Sequence, residues 1–243
     1  MLTIGIESSG LVAGAAIIRD GLLVAEYNVQ YKKTHSQTLL PMLEEICRMT
    51  ETDPGDADCF AVSAGPGSFT GLRIGSSTVK GLALVKGKPV AEIPSVEAIA
   101  AGLWGCTGLV VPLMDARRNQ VYTGIYTFEG EGEDMSMRTI MDQRPMDIED
   151  LARKLNSIDD VIYFLGDGVP TYLDRIRELI KTPYRLAPAE MNRQRASSVA
   201  RLGEQYLKEG RVVPGEAHKP LYMRPSQAER ERAEKQGIPS GGI

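Results

Sequence analysis

Two apolar runs, LTIGIE at 2–7 and LVVPLMDA at 109–116, each end on a carboxylate: Glu7 in one, Asp115 in the other. Each opens the same succession of segments. That repeated order constrains the fold more than any single motif, because an internal repeat fixes the architecture. In the first half, VAGAAII (12–18) and LLVAEYNVQY (22–31) read as strands joined at Asp20-Gly21, a strong hairpin signal. Leu39, Leu43 and Ile46 recur at helical spacing and predict a helix over 36–49 with Ser36 as N-cap. Pro41 requires that helix to start near Leu40 or to bend. CFAVSA (59–64) predicts a buried strand. A helix follows over 70–85, then a strand over 87–93 and a helix over 94–104.

The second half repeats the order with strands at 109–116, 120–128 and 135–141 and a helix at 146–156 capped by Asp147. A strand at 161–166, a turn at Asp167-Gly168, a helix at 169–181 with Pro170 near its start and a strand at 184–187 come next. A last helix over 196–210 stops at Gly210. Both halves are written β-β-β-α-β-α-β with an extra helix each. Two such units enclose a cleft. Ligands favour the carboxyl ends of strands, so Glu7, Asp115 and the loops at 65–69 and 166–168 are expected to face it. One larger mixed sheet decorated by the second half also fits the pattern. The predicted divisions are residues 1–104, residues 105–223 with helix 196–210 packing back on the first unit, and a charged tail, 224–243, exposed or disordered.

Composition narrows the function. A chain of 243 residues with net charge −4 is not a basic nucleic-acid binder. If it serves a nucleic-acid reaction, a partner supplies most of the phosphate contacts. Cys47, Cys59 and Cys106 match no metal or redox spacing. With no basic leader and no apolar run near the ~18 residues of a span, a cytoplasmic protein with no membrane partner is expected.

The stretch GPGSFTGLRIG (65–75) links a buried strand to a helix. Gly65 and Gly67 permit close approach of a ligand, Ser68 or Thr70 can cap the helix, and Arg73 can reach an anion. Yet it matches neither the P-loop nor GxGxxG. Gly71 and Gly75 lie on one helix face, suited to packing against another helix. The residues alone leave anion binding and close packing both open.

GPGSFTGLRIG resembles the signature of the bacterial TsaB (YeaZ) family. IGIESSG, THSQTLLPML (34–43), MDARRNQVYTGIY (114–126) and PLYMR (220–224) resemble further family motifs in the same order, over nearly the whole chain. The resemblance implies an α/β fold of two RNase-H-like halves, the second reduced, in the actin-like ATPase, sugar kinase and chaperone ATPase superfamily. It implies a non-catalytic subunit in making threonylcarbamoyladenosine beside the tRNA anticodon. That subunit binds and activates its catalytic paralogue TsaD, with the ATPase TsaE joining, pairs with itself when alone, and meets tRNA through the complex. The paralogue's His-x-x-x-His metal motif aligns with Ser95 and Ile99, which are not metal ligands of that kind. The chain's two histidines, His35 and His218, are far apart, so no metal centre and no catalytic residue of its own are expected. Glu7 stands where the family has aspartate, and Ser8-Ser9 replaces Thr-Ser. No adenosine loop is seen in 188–220, which leaves ATP and Mg²⁺ to the complex.

The candidate anion or nucleotide loop is therefore Glu7, Ser8, Ser9, Gly65, Gly67, Ser68, Thr70 and Arg73. The expected partner face is His35, Leu39, Met42, Leu43, Gly71, Leu72, Gly75, Val79 and Leu82, and Gly75→Leu is expected to block pairing without unfolding. Asp115, Arg117 and Arg118 could meet an anion in the cleft or pair on the surface. Arg193, Arg195 and Arg201 form a thin basic cluster, either solvated or touching tRNA. The competing function is an ATPase or small-molecule kinase with Glu7 or Asp115 on a metal.

Overall fold

A computed structural model describes residues 1–31 and 33–223; the expected tail, 224–243, lies outside the described residues. The first half runs β1 (Leu2–Glu7), β2 (Ala13–Arg19), β3 (Leu22–Val29), α1 (His35–Met49), β4 (Cys59–Gly65), α2 (Phe69–Lys86), β5 (Pro89–Pro94) and α3 (Ser95–Ala100). The second runs β6 (Leu109–Asp115), β7 (Gln120–Glu129), β8 (Ser136–Asp147), α4 (Ile148–Leu155), β9 (Ile162–Leu165), α5 (Gly168–Leu179), β10 (Tyr184–Leu186) and α6 (Ala196–Lys208), then a short β11 (Val213–Pro214). Among the described residues there are two sheets, ordered β11-β5-β4-β1-β2-β3 and β10-β9-β6-β7-β8. By position within each half, both read 5-4-1-2-3, with β11 as an addition to the first. The central strand of each is antiparallel to the next strand in sequence and parallel to the fourth. The chain is thus two RNase-H-like halves, not one mixed sheet.

Several local expectations shift. Helix α1 starts at His35 with Thr34 at the N-cap position, so Ser36 lies inside the first turn. It runs through Pro41 unbroken. Pro41 is exposed, and so is Gln37, whose carbonyl its missing N–H would have met, so water can serve that group. Strand β8 extends to Asp147, far beyond the expected 135–141. As the edge of its sheet it buries only Met141 fully, so its sequence carries little apolar alternation, and it is held by pairing with β7 along its length, with register shifts near Ile125. Helix α3 stops at Ala100 and passes into a 3-10 turn over Ala101–Leu103. Asp147 holds the N-cap position of α4 without a side-chain bond.

The halves clasp each other through their last helices. Helices α1 and α2 cover one face of the first sheet, where Leu39, Leu43, Ile46 and Val79 meet Ile4, Ile6, Phe60 and Val62. The opposite face is covered by α6, from the second half, through Val199, Leu202 and Tyr206 against Ala61, Ala91 and Ile93. At Gly5 a Cβ would lie 2.6 Å from the Ala200 nitrogen, so only glycine admits α6 this close. In return, Val96 and Ile99 of α3 pack on Val110, Met114, Tyr122 and Tyr126 of the second sheet. Each buried aliphatic side chain in such contacts contributes roughly 1.5–3 kcal/mol. The other face of the second sheet is closed by α4 and α5 through Leu151, Leu155, Val169 and Ile176.

Candidate functional site

The carboxyl end of β1 meets the glycine loop. Glu7 is fully buried, and its Oε1 accepts bonds from the Ser9 amide and hydroxyl, both at 2.6 Å. Its Oε2 has no partner among the described residues. Burial pushes the Glu7 carboxyl up to about 7 despite the two Ser9 donors, and Asp167 adds a further upward push. Asp167, from the loop before α5, is itself raised by burial, while Gln194 and Arg193 counter part of that rise. Gln194 is 1% exposed, and neither polar atom of its amide completes a hydrogen bond among the described residues. It lies against Gly10, where a Cβ would stand 2.5 Å from its nitrogen. Glu7, Asp167 and Gln194 therefore converge between the halves.

The glycines of GPGSFTGLRIG are occupied by the chain itself. A Cβ at Gly67 would collide with the Ser9 carbonyl, one at Gly71 with the Ser8 carbonyl and one at Gly75 with the Ser8 hydroxyl. The Ser68 amide donates to the Ser9 carbonyl at 2.6 Å, and the Ser8 hydroxyl donates to the Gly71 carbonyl at 2.9 Å. Ser68 caps α2 by accepting from the Gly71 amide at 3.3 Å. Space that a phosphate cradle needs is thus filled by Ser8 and Ser9, and the Ser68 amide is taken by the Ser9 carbonyl. Gly65, at φ +123°, makes room on its other side for the Leu221 carbonyl. Of the eight candidate loop residues, Glu7, Ser8, Ser9, Gly65, Gly67 and Ser68 come together. Thr70 is exposed, and Arg73 turns away to lie over the Phe69 ring at 4.1 Å.

The expected partner face divides. Leu39, Met42, Leu43, Leu72 and Val79 are buried in the first-half core, and Gly71 and Gly75 face Ser8. These seven are correctly placed on α1 and α2, but they point inward, because the sheet needs their face of each helix. Gly75→Leu would strike Ser8 before reaching any partner, which overturns its expected harmlessness. Leu82 and His35 are half-buried, with a His35 ring nitrogen 3.4 Å from the Leu11 carbonyl. The outward faces carry Leu40 and Met49 on α1, and Thr70, Ser77, Gly81, Leu84 and Val85 on α2. A groove of about 560 Å³ lies beside them, lined by Leu40, Leu43, Cys47, Arg48 and Leu82 among others. At Gly81 a Cβ would meet nothing within 4 Å.

At the matching end of β6, Asp115 is exposed, and its Oδ1 accepts from the Arg117 amide at 2.7 Å and the Tyr172 hydroxyl at 3.2 Å. Arg117, Arg118 and Asn119 follow with φ of 61°, 54° and 60°. Left-handed backbone costs a residue with a side chain roughly 1–2 kcal/mol. Both arginines are exposed and form no ion pair among the described residues. Of the other basic cluster, Arg195 pairs with Glu26, Arg201 stacks on Trp104 at 3.7 Å, and Arg193 reaches the Asn192 carbonyl.

One network escaped the sequence reading. His218 is buried, with Nδ1 2.6 Å from Glu92 Oε1 and Nε2 2.8 Å from Ser76 Oγ. The three residues are distant in sequence, and only the PLYMR motif beside His218 signalled that this segment has a defined place. No group of three or more His, Cys, Asp or Glu among the described residues is placed to hold a metal ion. None of the described helices is long and apolar enough to cross a membrane.

Comparison with known proteins adds to this geometry. The family model for TsaD, tRNA N6-adenosine threonylcarbamoyltransferase, matches residues 27–232. The tRNA threonylcarbamoyladenosine biosynthesis protein TsaB of Bacillus subtilis is 32% identical over 236 residues, covering 97% of this chain and 100% of that protein. The TsaB of Escherichia coli is 27% identical, covering 92% of this chain and 95% of that one. The solved structure of YeaZ from Pseudomonas aeruginosa superposes with a TM-score of 0.76 at 24% identity, covering 91% of this chain and 99% of that one.

Proposed function

Since the chain belongs to the bacterial TsaB (YeaZ) family of tRNA threonylcarbamoyladenosine biosynthesis proteins, we propose that it is the non-catalytic subunit that binds and activates TsaD. TsaD then transfers the threonylcarbamoyl group to the tRNA adenosine beside the anticodon. The observation that carries this reading is the closed glycine loop. In a fold whose ligands gather at strand ends, Ser8 and Ser9 fill the space, Ser9 takes the Ser68 amide, and Glu7 is sealed from water. What remains open is the outer face of α1 and α2. Leu40, Leu84 and Val85 are exposed there beside the small residues Ser77 and Gly81. Small residues let a second helix approach closely, and the large ones supply apolar area to bury.

In this reading the face pairs with TsaD, or with a second copy when TsaD is absent. TsaE joins the pair, tRNA is reached only through the complex, ATP and Mg²⁺ bind only in the complex, and the work is cytoplasmic. Gly81→Arg tests it. The side chain enters open space, so the chain folds, and light scattering with purified TsaD shows separate subunits. An intact complex refutes this placement of the face. The ATPase or kinase alternative is tested by calorimetry of the lone chain with ATP and Mg²⁺: micromolar binding with turnover replaces the scaffold reading.

A further inference from the structure

After α6 the chain turns back across the first half. Strand β11 pairs with β5, a 3-10 turn spans Gly215–Ala217, and residues 218–223 run along α2. Ser76, His218 and Glu92 stand in the order of a hydrolase triad, each within hydrogen-bond reach of the next. A hydrolase is nonetheless excluded by the layout. Ser76 is 4% exposed beneath the very segment that carries His218. Lifting that segment to admit a substrate takes the base away from the nucleophile. With a proton on Nδ1 shared with Glu92, Nε2 accepts the Ser76 hydroxyl, and the three side chains act as a latch. Lys80 Nζ donates to the His218 carbonyl at 3.1 Å, and the Lys219 amide donates to Glu92 Oε1 at 3.0 Å.

Beyond the latch the segment holds the start of α2. The Leu221 amide donates to the Ala64 carbonyl at 2.7 Å. The Tyr222 ring packs on Phe69 with centroids 4.4 Å apart, and Arg73 Nε donates to the Tyr222 hydroxyl at 3.3 Å. Phe69, Arg73, Ser76 and Lys80 follow one another at i, i+3 and i+4 spacing along one side of α2. Ser77 and Gly81 lie on the adjoining side and are exposed among the described residues.

We propose that residues 215–223 are a strap that positions α2 for its partner, with His218 as the latch and Tyr222 as the clamp on the first turns. Residues 220–223 thereby gain a role that the fold alone does not require. The proposal rests on the reading that α2 meets TsaD, and its test separates the two. In the full chain, Tyr222→Ala should raise amide hydrogen exchange over 69–76 by about tenfold while the sheet stays protected, as expected for loss of a local restraint. It should also weaken TsaD binding by about tenfold, with little change in Tm. Tyr222→Phe keeps the ring contact and should restore most of both. His218→Ala should loosen the same turns further, and because it leaves a buried gap, Ser76→Ala serves as the milder break of the latch. Unchanged exchange over 69–76 in Tyr222→Ala overturns the strap's hold on α2, and raised exchange with unchanged affinity overturns its role in binding. If Gly81→Arg still binds TsaD, the partner face is at fault, while the exchange experiment continues to judge the strap.

Discussion

The two halves place a carboxylate at the same point, the end of the central strand, and treat it in opposite ways. Glu7 is sealed and Asp115 lies in water. The difference traces to the helix that approaches each strand end. In the first half α2 brings Gly71 and Gly75, and its backbone rests directly on Ser8. In the second, α5 also brings a glycine, Gly168, against Leu113 and the Asp115 amide, but four residues on it carries Tyr172, whose hydroxyl is within hydrogen-bond distance of Asp115 and the Gln120 carbonyl. Glycine contact excludes water, and exclusion raises Glu7 to about 7. At the other end Tyr172 stands four residues after Gly168, as Gly75 stands after Gly71, and the carboxylate is exposed. One repeated topology thus yields a closed end and an open end.

The harshest way to break this contrast is Gly75→Leu. Its side chain must enter space held by Ser8, which is buried and cannot yield, so overpacking should cost on the order of 3 kcal/mol or more. Thermal unfolding should show a large drop in Tm or no folded protein. The same substitution at Gly81 should leave Tm nearly unchanged.

A comparable effect, but one tuned by pH, belongs to Glu7. In the folded protein it keeps its proton up to about pH 7. In the unfolded chain a glutamate gives its proton up near pH ~4.3. Between those values the folded state binds more protons, so stability falls as pH rises through this window and levels off above it. The total fall is on the order of 3 kcal/mol. Asp167, also raised, adds in the same direction. Glu7→Gln should flatten most of this slope in denaturant titrations between pH 4.5 and 8, and should be stabilising at pH 8. An unchanged slope would show that Glu7 is hydrated and that the first half is as open as the second.

The smallest effect lies on the open side. Tyr172→Phe keeps the ring and loses the two hydroxyl bonds, for a cost of about 1 kcal/mol in urea unfolding. A much larger loss would mean that the left-handed turn at Arg117–Asn119 depends on that hydroxyl for its shape.

The order of elements was legible because apolar runs, turn residues and helical spacing are local properties. The recurrence of LTIGIE and LVVPLMDA, each followed by a hairpin, was enough to indicate two halves. What could not be read was direction. Gly71 and Gly75 make a smooth stripe on α2, but spacing does not say whether the stripe faces a partner or the chain's own Ser8. Leu39, Leu43 and Val79 share that ambiguity, since a helix against a sheet and a helix against a partner carry the same pattern. The network joins His218 to Ser76 and to Glu92, 142 and 126 positions away, and no local rule links them. Strand β8 was understated because an edge strand needs few buried side chains.

The central claim is that this chain acts through the outer face of α1 and α2 and performs no chemistry of its own. The most direct measurement is threonylcarbamoyl transfer to tRNA in a reconstituted system of threonine, bicarbonate, ATP and the partner enzymes, with and without this chain. The account predicts product only when the chain and TsaD are both present, none from the chain alone, and loss of product with Gly81→Arg in a chain that still folds. Full transfer without the chain, or with the Gly81→Arg chain, would contradict it.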